Sequence, residues 1–281
     1  NDFMYHYQRL TDPGDPKNRN RLDNQVLPRF ALLYRITDEI SFHSSINKGF
    51  SPPSIAEIRP SGGLINNRLQ PEFGWNYEAG FRGSLLKERL QFDITGYLFK
   101  LKDAIVRKTI NDDEYFINAG STDQKGLEVY ADYSIFTNNK RFLQSLKIWS
   151  SLTQNDFRFS DYPVDDKNYS GNALTGVAKN ITSFGFDLVT APGLYLKTGF
   201  TYTSALPLND DNSAYASPYR LLSGKMGWGK KINALSLNIF AGINNALDQL
   251  YSLGNDLNAF GNRFYNPAAG RNYTAGISVA F

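Results

Sequence analysis

A two-residue alternation of apolar and polar side chains returns in segment after segment of this chain. It is clearest near the C-terminal end, where Tyr273, Ala275, Ile277, Val279 and Phe281 alternate with small or polar residues. Successive side chains of a β-strand point to opposite faces, so such a segment has one apolar and one polar face. The chain is therefore expected to be all-β, with strands that need an apolar environment on one side only.

The alternating segments approach the ten or so residues that a tilted strand needs to cross a bilayer. We count about twelve of them, enough for a large part of a membrane barrel. A short one at residues 3–7 is expected to be the upper end of a strand that is cut at its start. The others lie at residues 27–36, 39–47, 75–85, 90–98, 127–135, 146–152, 184–188, 194–202, 222–228, 235–243 and 271–281.

Short and long connections alternate along the chain. After a polar loop at residues 11–25, the short ones are residues 37–38, 86–88, 138–142, 191–193 and 229–233. The long ones are residues 48–74, 103–125, 155–179, 205–218 and 244–270. Outer-membrane barrels have short periplasmic turns and long extracellular loops. The pattern therefore predicts a transmembrane antiparallel β-barrel, formed by one barrel segment over residues 1–281, with Phe281 on the periplasmic side.

Composition excludes several other classes of protein. No stretch approaches the roughly 18 apolar residues of a transmembrane helix. The chain has no cysteine, which removes disulfides and thiolate metal sites. Its 30 basic and 27 acidic residues are too balanced for a nucleic-acid surface. No phosphate loop, zinc-protease motif or Ser-His-Asp spacing is present, so we expect no enzyme.

A soluble β-sandwich also alternates its side chains, with the apolar face in a core. The segments here are longer than typical globular strands, and their polar faces carry charges that a wet lumen would tolerate. Aromatic residues also lie toward the segment ends, as in the interfacial girdles of membrane barrels. Those near the long loops are Trp75, Tyr202 and Tyr273, and those near the short turns are Trp228 and Phe281.

Several motifs in a fixed order resemble one family. They are residues 49–57 (GFSPPSIAE), 69–72 with 77–82, 117–120 leading to 125–128, and 243–251 followed by Pro267 and residues 270–273. Together they resemble the C-terminal part of the barrel of TonB-dependent outer-membrane receptors of Gram-negative bacteria. The resemblance implies a barrel of about 22 strands filled by an N-terminal plug domain. The plug and the segment that TonB grips are then expected upstream of Asn1, with Phe281 as the true end.

The family resemblance implies active uptake of a scarce solute, most often a ferric siderophore, energised by TonB with its partners ExbB and ExbD. A TonB-dependent importer of cobalamin or an oligosaccharide is the first alternative. A passive porin or an outer-membrane enzyme is a weaker one. The expected partners are therefore the TonB-ExbB-ExbD complex, the solute and outer-membrane lipid, without a cofactor or nucleic acid.

Solute capture is expected to fall to aromatic and basic residues of the long loops, because rings hold flat chelators and arginine pairs with anionic groups. The candidates are Arg59, Arg68, Arg107, Tyr115, Arg158, Tyr162, Tyr169, Tyr215, Phe260, Arg263 and Tyr265. No metal site is expected, since the only histidines, His6 and His43, lie far apart. Asp210 and Asp211 are interpreted as ordinary polar-loop residues. We expect Glu72, Glu78 and Glu128 to be internal partners of Arg82 and Lys125.

Overall fold

The computed structural model describes residues 4–7, 18–21, 26–58, 66, 68–110, 113–118, 120–137, 141–164, 167–232 and 235–281. Within these ranges, the side chains of residues 4–7, 18–21, 106–110, 113–115, 232 and 260 are not described.

The described part of the chain is almost entirely β-structure. Its strands are β1 Met4–Tyr7, β2 Asn18–Arg21, β3 Arg29–Arg35, β4 Ile40–Ser51, β5 Glu72–Leu85, β6 Leu90–Lys102, β7 Ile105–Ile110, β8 Asp113–Asn118, β9 Ser121–Thr137, β10 Leu143–Asp161, β11 Pro163–Val164, β12 Lys167–Asn168, β13 Asn180–Thr190, β14 Leu194–Thr203, β15 Leu206–Pro207, β16 Tyr215–Ala216, β17 Tyr219–Ile232, β18 Leu235–Asn244 and β19 Asn272–Ala280. One α-helical turn, α1, spans Ile55–Ile58, and a 3-10 turn spans Phe260–Asn262. Neither is long and apolar enough to cross a membrane.

Eleven strands form one antiparallel sheet in the order β3-β4-β5-β6-β9-β10-β13-β14-β17-β18-β19. Strands that follow each other in the chain lie side by side, apart from small hairpins inserted between them. Within the described residues β3 and β19 are the two edges of this sheet. The predicted all-β, antiparallel fold is confirmed.

The N-terminal segment differs from its prediction. Met4–Tyr7 does form a strand, but it pairs with Asn18–Arg21 in a separate two-stranded sheet. The main sheet therefore has eleven strands instead of about twelve. An alternating pattern specifies a strand but not its partner, and a partner only eleven residues away closes at a small loop-entropy cost.

The alternation of short and long connections is confirmed. The turns after β3, β5 and β13 are only a few residues long, whereas the connections at the opposite ends of the strands are long, and three of them carry hairpins. These hairpins are β7 with β8, β11 with β12, and β15 with β16. All long connections therefore gather at one end of the strands, called here the loop edge, and the short turns lie at the other end, called the short-turn edge.

The sheet is a single layer whose apolar face is uncovered. Phe30, Met226 and Ile277 on this outer face are 64%, 61% and 70% exposed. The fully buried large side chains, Ile58, Leu69 and Leu208 among them, lie in the long connections. A β-sandwich would bury the apolar face against a second sheet, so the structure excludes that alternative.

On the inner, polar face, aromatic rings occupy the space above glycines of the neighbouring strand. Trp149 is the register partner of Gly185, and a methyl group on that glycine would lie 2.7 Å from the indole. The same cross-strand relation joins Tyr97 with Gly126, Tyr195 with Gly227, and Phe240 with Gly276. Only glycine leaves room for a ring at these positions.

The turn between β5 and β6 has an unusual backbone. Leu86, Lys87 and Glu88 have φ angles of 56°, 58° and 65°. This left-handed region costs a residue with a Cβ about 1 to 2 kcal/mol relative to the right-handed one. The turn stores strain that glycine would not.

Candidate ligand-capture site in the long loops

The three C-terminal long connections, residues 162–179, 204–218 and 245–271, interlock at the loop edge of the sheet. A small apolar core holds the last two together, with Leu208, Ala216 and Phe264 all buried. Backbone hydrogen bonds join them as well, from the N–H of Gly176 to the carbonyl of Pro207 and from Asn258 to Leu208, both at 2.9 Å. The connections therefore form one body, called here the loop cluster.

Asp210 is the polar centre of the loop cluster. Its carboxylate accepts hydrogen bonds from the hydroxyls of Tyr162, at 3.1 Å, and Thr175. Its backbone carbonyl accepts from the side chain of Asn172 at 2.8 Å, and its N–H donates to Asn258 at 3.0 Å. One residue thus joins all three connections.

Two further contacts fix the connection after β10. The amide side chain of Asn212 exchanges two hydrogen bonds with the backbone of Ala173, at 2.8 and 3.0 Å. Arg158 donates to the carboxylate of Asp156 at 2.7 Å and to the carbonyl of Gly171 at 2.9 Å. The Arg158 guanidinium therefore already has partners within its own loop.

A row of aromatic rings leads to Asp210. The ring of Tyr162 lies 4.6 Å from that of Phe159 and 5.7 Å from that of Tyr169. Tyr162 is only 4% exposed. Burial raises the pKa of its phenol, and the neighbouring Asp210 carboxylate raises that pKa further. The hydroxyl therefore stays protonated and remains a hydrogen-bond donor to Asp210.

The loop cluster encloses an open cavity of about 570 Å³. Its polar lining comes from Asp210, Asp211 and Thr175, and its apolar lining from Leu257 and Phe264. Cavities of this size with a few polar groups in an apolar wall suit a small organic ligand.

A second group of loop residues surrounds α1 and the β7-β8 hairpin. Ile58 and Leu69 are completely buried there and pack against Ile105 and Phe116. Asn118 fastens the hairpin, since its side chain accepts from the N–H of Gln70 and donates to the carbonyls of Gln70 and Asp103.

Two of the three acidic residues that were expected to pair with Arg82 and Lys125 have hydrogen-bond partners of another kind. Glu72 accepts from the N–H of Ile105 at 2.6 Å, and Glu78 accepts from the side chains of Asn76 and Ser45. Lys125 lies 3.2 Å from Asp156 on the neighbouring strand. Lys125 therefore pairs with Asp156, its neighbour on the adjacent strand, and not with a glutamate as predicted.

The structure separates the predicted capture residues into several groups. The loop cluster and its rim contain Arg158, Tyr162, Tyr169, Tyr215, Phe260, Arg263 and Tyr265. Tyr215 and Tyr265 are about half exposed, at 48% and 56%. Arg68 is exposed next to α1, and Arg107 and Tyr115 lie on the β7-β8 hairpin with side chains outside the described part. Arg59 lies outside the described residues.

Sequence reasoning missed the residues that organise the cavity. Asp210 was assigned to an ordinary polar loop, and Asn172, Asn258 and Thr175 were not considered. The available signal was the run of Asn and Asp at residues 209–212, because these side chains favour tight loops and bind nearby backbone. That signal indicates a turn, but it does not identify partners in distant loops.

Among the described residues no group of three or more His, Asp and Glu side chains could hold a metal ion. The five predicted interface aromatics lie toward strand ends. Trp75 stacks on Tyr77 with ring centroids 6.3 Å apart, and the indole of Trp228 donates to the carbonyl of Pro192 at 2.6 Å. Tyr202 lies beside Arg220, and Tyr273 and Phe281 are exposed.

A single layer of long antiparallel strands, an uncovered apolar face and loops gathered at one edge define the wall of an outer-membrane-type β-barrel. The chain belongs to the TonB dependent receptor-like β-barrel family, whose model matches residues 4–246. Barrels of this family are outer-membrane proteins of Gram-negative bacteria, and the family is one of receptors and transporters, not of enzymes.

Known proteins agree with this assignment. The chain is 32% identical to the ferric-pyoverdine 358 receptor of Pseudomonas putida over 84 residues, which are 30% of this chain and 9% of that protein. Its fold matches the ferric citrate transporter FecA with a TM-score of 0.74 at 17% identity, covering 94% of this chain and 39% of that one. It matches the ferric preacinetobactin receptor BauA of Acinetobacter baumannii with a TM-score of 0.71 at 18% identity, covering 95% and 37%. The chain thus spans well under half the length of these proteins.

Proposed function

We propose that this chain forms part of an outer-membrane receptor that captures a ferric siderophore and imports it with energy from TonB, ExbB and ExbD. The observation that carries the proposal is the family membership, together with relatives whose names refer to ferric siderophores. The loop cluster supports it, because its cavity lies at the edge where the long connections gather.

The cavity wall suits the flat rings of a chelator, whereas the anionic groups of the chelator fit the basic rim and not the carboxylates of Asp210 and Asp211. Tyr169 adds an aromatic edge to the lining, and Asp210 and Thr175 add acceptors and donors. Arg263 and Tyr265 flank Phe264, a buried residue of the cavity wall, and both are exposed. An arginine at the rim of such a cavity pairs with carboxylate or catecholate oxygens of the incoming chelate.

Uptake of radioactive iron tests the cargo. The gene is deleted in the source bacterium, and cells are offered the iron complexes of several siderophores. In separate assays the cells are offered vitamin B12 or oligosaccharides. We expect the deletion to abolish iron uptake from one siderophore, and loss of TonB to have the same effect. Induction of the gene by a glycan and not by iron starvation would contradict the siderophore assignment.

A rim variant tests the site. Arg263→Gln removes one charged partner of an anionic ligand and is expected to weaken siderophore binding about tenfold, as for one charge-assisted hydrogen bond. Arg220→Gln is the matched control, because that guanidinium lies 5.8 Å from the Tyr202 ring and not at the cavity. Equal losses in both variants would argue against the proposed site.

A further inference from the structure

A cleft with three cationic side chains lies at the short-turn edge of the sheet, opposite the loop cluster. It has a volume of about 1010 Å³ and lies between the β5-β6 and β9-β10 turns. Lys87, Arg89 and Arg141 line it, with Glu88 as the one carboxylate among its lining residues. We call this feature the cationic cleft.

The cationic cleft opens toward the outer face of the sheet. The guanidinium of Arg89 lies 5.1 Å from the ring of Tyr133, whose register partners are the outer-face residues Leu90 and Ile148. Phe142 and Leu143 also line the cleft and are 65% and 42% exposed. Positive charge and uncovered apolar surface therefore adjoin each other.

Arg89 is held in place by the backbone. Its guanidinium donates to the carbonyl of Ser134 at 2.9 Å and also to that of Ile135. An arginine has five N–H donors, so further donors remain for a ligand. The side chain needs no rearrangement to bind an anion.

An apolar groove continues from the cleft along the outer face. It has a volume of about 630 Å³ and begins at Leu90 and Tyr133, the residues next to Arg89. Ala131 and Ser150 are paired small residues in this groove, and Phe184 and Phe200 form part of its far wall. The groove is open above the small side chains of Ala131 and Ser150 and is bounded by the larger rings of Phe184 and Phe200.

We propose that the cationic cleft and the apolar groove together bind one anionic phospholipid of the membrane leaflet on the short-turn side. The phosphodiester pairs with Arg89, Lys87 and Arg141, and an acyl chain lies in the groove. Charge complementarity favours this occupant, since cations next to an anionic leaflet attract its headgroups and arginine binds phosphate through two parallel hydrogen bonds. The site requires a membrane but is independent of the cargo that the receptor imports.

Native mass spectrometry of the protein at its natural length, purified in detergent, tests the site. The probes are phosphatidylglycerol and phosphatidylcholine with identical chains. We expect phosphatidylglycerol to bind more tightly. The double variant Lys87→Gln with Arg141→Gln is expected to bind it roughly 30-fold more weakly, from the loss of two cations near an anionic headgroup. Arg89 is left intact because it holds two carbonyls of β9.

Two further variants complete the test. Lys230→Gln with Lys231→Gln removes two exposed charges near another short turn and should leave binding unchanged. Ala131→Phe fills the groove without altering charge and should also weaken lipid binding. If Lys87→Gln with Arg141→Gln bound phosphatidylglycerol as tightly as the wild type does, the proposal would be overturned. Equal affinity of the wild type for both lipids would also overturn it. So would full competition by glycerol 3-phosphate, which would indicate a site for a soluble anion.

Discussion

Substitution of Gly185 by alanine tests whether the aromatic rings of the inner face depend on the glycines beneath them. The added Cβ would lie 2.0 Å from the carbonyl oxygen of Thr198 and 2.7 Å from Cζ2 of Trp149. The first contact is with backbone, so a side-chain rotation cannot relieve it. β13 and β14 must therefore move apart, and the indole must shift as well.

Overpacking of this kind costs about 1 to 3 kcal/mol. Gly199 provides a matched control, because it faces the same indole from β14. A Cβ there would lie 3.4 Å from Oγ of Ser223 and 3.8 Å from Trp149, which is ordinary contact. Gly199→Ala is expected to stabilise the protein by about 0.4 to 1 kcal/mol, because alanine restricts the unfolded chain. The two variants should therefore differ by about 1.5 to 4 kcal/mol.

The measurement is urea-induced unfolding in detergent micelles. Tryptophan fluorescence is read after the samples have been incubated long enough to reach equilibrium. A lower midpoint for Gly185→Ala with an unchanged slope would indicate a loss of stability without a change in exposed surface. If both variants moved the midpoint in the same direction and by the same amount, the steric reasoning would be refuted.

Three further predictions concern the turns and the loop cluster. Lys87→Gly should stabilise the protein by about 1 kcal/mol in the same unfolding assay, because glycine adopts a positive φ without strain, whereas Lys87→Ala should not. Above pH 10, the usual pKa of tyrosine, the unfolded chain loses the Tyr162 proton while the folded chain keeps it, so stability should fall as pH rises toward the raised pKa. Tyr162→Phe should remove that alkaline loss, as measured by unfolding between pH 9 and about 11. Asp210→Ala leaves the hydroxyls of Tyr162 and Thr175 without an acceptor and should cost about 2 to 4 kcal/mol of local stability, seen as faster hydrogen exchange in residues 162–179 and 204–218. Asp211→Ala, which loses one bond from Ser213 in its own loop, should change exchange little, and equal effects of the two would refute the central role of Asp210.

Hydrophobic alternation predicted where strands lie better than where they end. The segment predicted at residues 146–152 is the middle of β10, which runs over Leu143–Asp161. Apolar and polar side chains alternate only where one face of a strand is in an apolar environment. The part of the strand that extends toward the loops has polar surroundings on both faces, so it shows no alternation. For the same reason the β7-β8 hairpin fell inside a predicted connection at residues 103–125.

Residue type predicted which loop side chains could capture a ligand, but not which of them lie together. Tyr162 was proposed for its aromatic ring, and the structure places that ring against Phe159, with the hydroxyl donating to Asp210. Phe159 is a near neighbour in the sequence, but Asp210 comes from a connection 48 residues away. Hydrogen-bond partners of this kind depend on how neighbouring strands bring their loops together, which no local pattern specifies.

The buried side chains are concentrated in the long connections, and this affects how such a protein can evolve. In the wall, an outer-face residue such as Ile277 has only to remain apolar, so many exchanges there leave the sheet intact. In the loops, Leu208, Ala216 and Phe264 form a small core that sets the shape of the cavity. New binding preferences can therefore arise by repacking a few loop residues while the wall drifts independently.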